Sequence, residues 1–134
     1  MAVVTRKITR FTDIDPMFML NPASNDITLV SGVSAIKASV RHIVLTSMYE
    51  RPFEPELGTI VNSLLFENWD ISNKVMFVAK IRETLERYEP RIEVAQVLID
   101  DTRIDSYELA IEIHFNIIAL QEFATITIVV DRLR

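Results

Sequence analysis

The chain has no cysteine and only two glycines, Gly32 and Gly58. Without cysteine there is no disulfide, no thiolate nucleophile and no cysteine-based metal site. Two isolated glycines cannot build the clustered turn that cradles a phosphate, which excludes the P-loop and dinucleotide fingerprints. Aromatic residues make up only 8% of the chain, too few for a platform of sugar-stacking rings. The two histidines, His42 and His114, lack metal-ligand spacing of the HExxH kind, and neither lies in a nucleophile-elbow context. No cofactor and no metal are expected. Lys and Arg number 14 against 19 acids, for a net charge of −5, which argues against a nucleic-acid partner. No run of 18 apolar residues reads as a membrane span. MAVVTRKITRF also lacks the apolar core of a secretory signal, and with the missing cysteine this fits an intracellular place of synthesis.

What is present is an ample core. Hydrophobic residues form 49% of 134 residues, which suits a single domain over 1–134. Residues 1–12 form a basic arm with Arg6, Lys7 and Arg10 and no acid. Residues 13–30, rich in Pro, Asp and Asn, read as an irregular segment, with Ile14, Met17, Phe18 and Leu20 pinning it to the body. A short strand is expected at Ile27–Val30. Residues 31–90 read as helical. The first helix starts near a Ser31 N-cap and runs to about Thr46, with Val33, Ile36, Val40, Ile43 and Val44 as one apolar stripe. A stiff loop follows at Arg51–Gly58, where two prolines forbid regular helix. A short second helix is expected over Ile60–Glu67, with Leu64, Leu65 and Phe66 inward and Trp69 plugging the core at the following corner. A third starts near Asp70 or Ser72 and ends near Tyr88. Its stripe is Ile71, Val75, Val78, Ile81 or Arg82, Leu85 and Tyr88, with Glu83 and Arg87 placed as a helical pair.

Residues 91–134 read as an antiparallel meander. Arg91–Ile99 is apolar on both faces, as in a strand covered on both sides. DDTRIDS is a turn. Tyr107–Ile117 alternates cleanly, with Leu109, Ile111, Ile113, Phe115 and Ile117 inward. Phe123–Asp131 is the last strand. The fold class is therefore α+β: about three helices packed on a small three-stranded antiparallel C-terminal sheet, with an irregular N-terminal arm.

Hydrolysis by paired carboxylates is one chemistry to weigh. Glu54, Glu56 and Glu67 lie in or near a loop, and a glycosidase needs two carboxyls about 5–10 Å apart. With 19 acids in the chain some such pair is inevitable, and no second feature supports it. No catalytic residue is expected.

The corner RYEPRIEV is more informative. Glu89 stands at a helix C-terminus, where the dipole disfavours an anion by roughly 0.3–1 kcal/mol. Pro90 stiffens the turn, and Arg91 carries a fork suited to a carboxylate. Three readings compete: a helix stop, an intramolecular ion pair, or a preformed polar knob for a partner protein. The knob is the expectation, with Glu89 completing the arginine's geometry.

DIDP (13–16), AIKASV (35–40), RPFEPELG (51–58), LFEN (65–68) and YEPRI (88–92) follow one another in this order. Together they resemble the baseplate wedge and sheath-initiator proteins of contractile phage tails, a family that carries a lysozyme-like label and extends to type VI secretion and contractile bacteriocin baseplates. The resemblance runs from about Asp13 into the last strands. Its signature Glu-Pro-Arg falls on Glu89, Pro90 and Arg91. It implies a structural subunit of the virion's inner baseplate that joins wedge proteins and offers strands to the first sheath ring. Other wedge proteins and the sheath subunit are the implied partners, with the tail tube or central hub beyond them. The alternative carried by the family label is a peptidoglycan-degrading hydrolase.

On this reading Arg51 and Phe53 are the polar and apolar anchors of the proline-stiffened loop. The last strand, uncharged from Thr125 to Val130, offers Thr125, Ile126, Thr127 and Ile128 for pairing with a sheath strand.

Overall fold

The computed structural model describes residues 11–64, 70–102 and 108–131. The chain divides into two compact units, Met1–Ala38 and Ser39–Arg134. Most of the expected basic arm, the LFEN stretch with Glu67, the Trp69 corner and the end of DDTRIDS with Tyr107 lie outside the described residues.

The segment expected to be irregular is instead a bent two-stranded ribbon. Strand β1 (Thr12–Ile14) pairs antiparallel with β4 (Leu29–Ser31), and β2 (Leu20–Asn21) pairs with β3 (Asp26–Ile27). The single strand expected at Ile27–Val30 is thus two short ones. Aspartates and asparagines supply the bends. Asp15 Oδ1 accepts from Met17 N–H at 3.0 Å and Asn21 Oδ1 from Ala23 N–H at 3.0 Å. Phe18 and Asn25 take positive φ of 51° and 54°. Ile14, Met17, Phe18 and Leu20, expected to pin this segment inward, are 48, 81, 70 and 62% exposed. A two-stranded ribbon has too few cross-strand neighbours to enclose its own apolar face.

Helix α1 (Val33–Leu45) begins one residue after Gly32, whose φ of +64° turns the chain out of β4. Ser31 belongs to the ladder with Thr12 rather than to a cap. Ala35, Ile36, Val40, Ile43 and Val44 are buried, the expected stripe apart from half-buried Val33. Helix α2 is a single turn, Val61–Leu64, among the described residues. Helix α3 spans Ile71–Tyr88, with the Asp70 carboxylate accepting from Ile71 N–H at 2.7 Å. Two long helices and one turn therefore stand where three helices were expected. On α3 the buried residues are Phe77, Ile81, Thr84 and Leu85, while Ile71 and Val75 are exposed. The expected Glu83–Arg87 pair is not formed: Glu83 pairs with Lys80 at 3.2 Å and Arg87 with Glu56 at 3.0 Å.

The C-terminal sheet has the order β5–β6–β7, from Ile92–Asp100, Glu108–Ile117 and Glu122–Asp131, all antiparallel. Leu109, Ile111, Ile113, Phe115 and Ile117 of β6 are each fully buried. Strand β5 corrects the two-sided reading. A bulge between Val94 and Gln96 switches the side-chain parity. Ile92, Val94, Val97 and Ile99 therefore all face the core, and Ala95 and Leu98 face out. The continuous apolar run is one buried face read through a bulge.

Candidate functional site

The turn from α3 into β5 places Glu89, Pro90 and Arg91. Helix α3 ends because Pro90 disfavours helical geometry at Glu89, whose N–H still reaches Leu85 C=O at 2.8 Å. Its carboxylate does not project outward as a knob would need. Glu89 is only 2% exposed. Arg91 Nε donates to Oε1 at 2.5 Å and Arg91 Nη2 to Oε2 at 2.6 Å, a bidentate fork. Ser39 of α1 donates its hydroxyl to Oε2 at 2.5 Å. Burial pushes the Glu89 carboxyl up. The hydrogen bonds from Arg91 and Ser39, the Arg91 charge and the Arg91 backbone N–H outweigh it and hold the pKa below its usual value. The anion at a helix C-terminus is thus tolerated because an arginine two residues on neutralises it. Pro90 is exposed, and the Arg91 side chain is 35% exposed, so this residue alone joins the buried pair to the surface.

Ser39 escaped the sequence reading as a site residue. It lies in AIKASV, but its meeting with the Glu-Pro-Arg corner spans fifty positions and no local pattern reports it.

The loop at Arg51–Gly58 is fastened at its base. Tyr49 N–H donates to Pro55 C=O at 2.8 Å, Met48 N–H to Thr59 C=O at 3.2 Å, and Thr59 N–H to Thr46 C=O at 2.8 Å. Gly58, at φ +128°, packs so tightly that an added Cβ would stand 2.5 Å from Thr46 O. Glu56 pairs with Arg87, and Glu50 accepts from Ser47 N–H at 2.8 Å. At the tip Arg51 is exposed and Phe53 is 98% exposed, so Phe53 is not a cap on the core.

Strand β7 offers the sheet's uninterrupted edge. It pairs with β6 over ten consecutive positions without a bulge. Among the described residues it has one neighbouring strand. Ile118 N–H donates to Arg91 C=O, so the even positions of β6 turn their backbone groups toward β5. Ile117 C=O accepts from Leu120 and Gln121 N–H on the β7 side, so odd positions face β7. By register, Glu122, Ala124, Ile126, Ile128 and Val130 bond inward to β6. The N–H and C=O groups of Phe123, Thr125, Thr127 and Val129 therefore point out along the free edge. The expected stretch Thr125–Ile128 splits accordingly. Thr125 and Thr127 present donors to a partner, and Ile126 and Ile128 do not. Val129 lies within the segment Thr125–Val130 expected to pair, and Phe123 was missed, because alternation reports where side chains point and not which backbone pairs are hydrogen-bonded. The opposite edge is blunted: Ala95 C=O, at the β5 bulge, accepts from Arg82 of α3 at 3.2 Å.

The structure does not gather these residues into one cleft. It brings Glu89 and Arg91 together with Ser39, and leaves the Phe53 loop and the β7 edge as separate surfaces.

Residues 30–122 match the family model described as baseplate wedge protein gp25. The chain is 32% identical over 108 residues to the baseplate wedge protein gp25 of Enterobacteria phage T4, covering 81% of this chain and 80% of that one. In fold it is similar to a chain of the anti-feeding prophage baseplate, with a TM-score of 0.72 and 23% identity, covering 84% and 90% of the two chains. It is also similar to a candidate tail lysozyme from Geobacter sulfurreducens, with a TM-score of 0.70 and 21% identity over 80% and 96%. The stretch matched by the family model includes α1, the proline-stiffened loop, the Glu-Pro-Arg corner and β5–β6, and on this ground the chain belongs to the baseplate wedge protein gp25 family and is a baseplate component of a contractile tail.

Proposed function

We propose that this chain, acting over 1–134 as one wedge domain, is a non-enzymatic joining subunit of the inner baseplate that seeds the sheath. The observation that carries the reading is the β7 edge, whose outward donors and acceptors at Phe123, Thr125, Thr127 and Val129 stand ready for an added strand. The stretch from Thr125 to Val130 holds no charge, the device that ordinarily keeps such an edge from pairing. A sheath strand is the proposed occupant. Arg91, with its geometry set by buried Glu89 and Pro90, and the Arg51–Phe53 loop are the proposed contacts to other wedge subunits. The tail tube or central hub is a further proposed partner.

Two features favour joining over peptidoglycan hydrolysis. A glycosidase acid needs a raised pKa, and Glu89 is held low by an arginine. Glu56 is committed to Arg87, and Glu54 stands exposed on the loop.

A pair of proline substitutions tests the edge. Thr127→Pro removes an outward donor and leaves the ladder to β6 whole, since proline is tolerated on an edge strand. The free chain should keep its circular dichroism and lose the ability to seed sheath polymerisation on assembled baseplates. Ile128→Pro removes a bond within the sheet and should unfold the protein. Normal sheath growth on folded Thr127→Pro baseplates would rule out this edge.

A further inference from the structure

Two arginines flank the end of α3, and each fastens a different proposed contact. Arg91 closes the corner on Glu89. Arg87 reaches across to the proline-stiffened loop, where its Nη2 lies 3.0 Å from Oε2 of Glu56. Its guanidinium also lies over the Tyr88 ring, 5.4 Å from the centroid. A nearer partner was at hand. Glu83 stands four residues before Arg87, the favourable order for a pair along a helix, yet Glu83 pairs with Lys80. A planar guanidinium can meet a ring face and a carboxylate at once, which an ammonium does less well.

The Arg87–Glu56 pair contributes little to folding. Its side chains are 61 and 65% exposed, so water screens the attraction, and ordering two long side chains offsets much of the rest. Its effect falls on the loop instead. Backbone bonds of Met48, Tyr49 and Thr59 and the tight packing at Gly58 close the base, and Leu57 is buried. Residues 51–56 beyond that base are all exposed. Among the described residues, Arg87–Glu56 is the ion pair that ties this exposed tip to a helix. Glu56 is three positions from Phe53. Two prolines, the Leu57 N–H bond to Glu54 C=O and the Tyr49 N–H bond to Pro55 C=O stiffen that stretch, so a restraint at Glu56 is carried to Phe53. We propose that Arg87 is a positioning residue that holds the Phe53 loop at a fixed setting relative to the Glu89–Arg91 corner, so that a wedge subunit meets an anchor already ordered. The inference rests on the reading of Phe53 as an anchor and adds the residue that sets it.

A double-mutant cycle tests it, read as binding of the full chain to the other wedge subunits of its own tail, purified as a complex. Arg87→Ala and Glu56→Gln should each keep Tm within about 3 °C of wild type and weaken binding about tenfold. Combined, they should weaken it no further than either alone. Phe53→Ala should cost about thirtyfold in the wild-type chain and less than about fivefold in Arg87→Ala, because an anchor already loose has less to lose. The charge exchange Arg87→Glu with Glu56→Arg should recover most of the binding that either reversal alone removes. Losses that multiply, with Phe53→Ala costing the same in both backgrounds, would overturn the proposal. Unchanged binding in Arg87→Ala and Glu56→Gln would overturn it too. So would a larger fall in Tm, since the pair would then serve the fold. If Phe53→Ala binds like wild type, the anchor reading itself fails, whichever way the Arg87 variants behave.

Discussion

Replacing Arg91 with alanine should destabilise the isolated protein far more than a surface ion pair would suggest. An exposed pair contributes about 0–1 kcal/mol, whereas removing one partner of a fully buried pair costs roughly 3–5 kcal/mol. Glu89 is 2% exposed but Arg91 is 35% exposed, so water screens the arginine side and the value falls between. About 2 kcal/mol is expected. For a chain of this length that corresponds to a fall in Tm of roughly 6–8 °C.

The pH dependence gives a second signature. The folded pKa of Glu89 is lowered, so its stabilisation is complete above the ordinary glutamate value of about 4.3 and is lost as pH falls through the lowered folded value. Arg91→Ala removes the main cause of the lowering and leaves burial and Ser39. The Tm gap to wild type should therefore be widest near neutrality and should narrow as pH drops below about 4. Arg91→Lys should recover less than half of the loss, since an ammonium cannot reproduce the fork. Adding Glu89→Gln to Arg91→Ala should restore part of the stability, because no buried charge is then left unpaired. The assay is thermal unfolding by circular dichroism from pH 7 to pH 3. If Arg91→Ala melts within about 1 °C of wild type at pH 7 and the difference is flat with pH, the pair does not hold the corner, which reduces to a helix stop.

Three further outcomes are expected. Phe53→Ala should leave Tm within about 1 °C, because the ring is 98% exposed, and should weaken wedge assembly by about 2 kcal/mol, the scale of an aromatic anchor; a melted monomer with intact assembly would reverse that assignment. Purified protein should release no peptidoglycan fragments in a zymogram, and activity abolished by Glu54→Gln, Glu56→Gln or Glu67→Gln would restore the hydrolase reading. Ser39→Ala should destabilise by about 1.5 kcal/mol, a fall in Tm of roughly 5–6 °C, by removing a hydrogen bond to a charged group; a Tm equal to wild type would mean that the hydroxyl contributes nothing to the corner.

Where the sequence carried strong periodicity it determined the local structure. The stripe Ile36, Val40, Ile43, Val44 specified α1. The strict alternation from Leu109 to Ile117 specified the buried face of β6. The Glu89-Pro90 step specified where α3 ends. Each of these depends on residues a few positions apart, so the physics is local. The order of DIDP, AIKASV, RPFEPELG, LFEN and YEPRI carried the resemblance to the family, which the family model shows over residues 30–122.

Tertiary structure decided the rest, because the deciding partners are far apart in the chain. Glu89 turns inward because Ser39, fifty residues earlier, and Arg91 meet its carboxylate there, and no periodicity encodes that meeting. The both-sided look of β5 dissolved into one buried face once a bulge opposite His114 shifted its register, and a bulge leaves no mark in composition. Ile14, Met17, Phe18 and Leu20 read as anchors to a core, and all four are exposed, because hydrophobicity alone does not say which face of a short ribbon is covered.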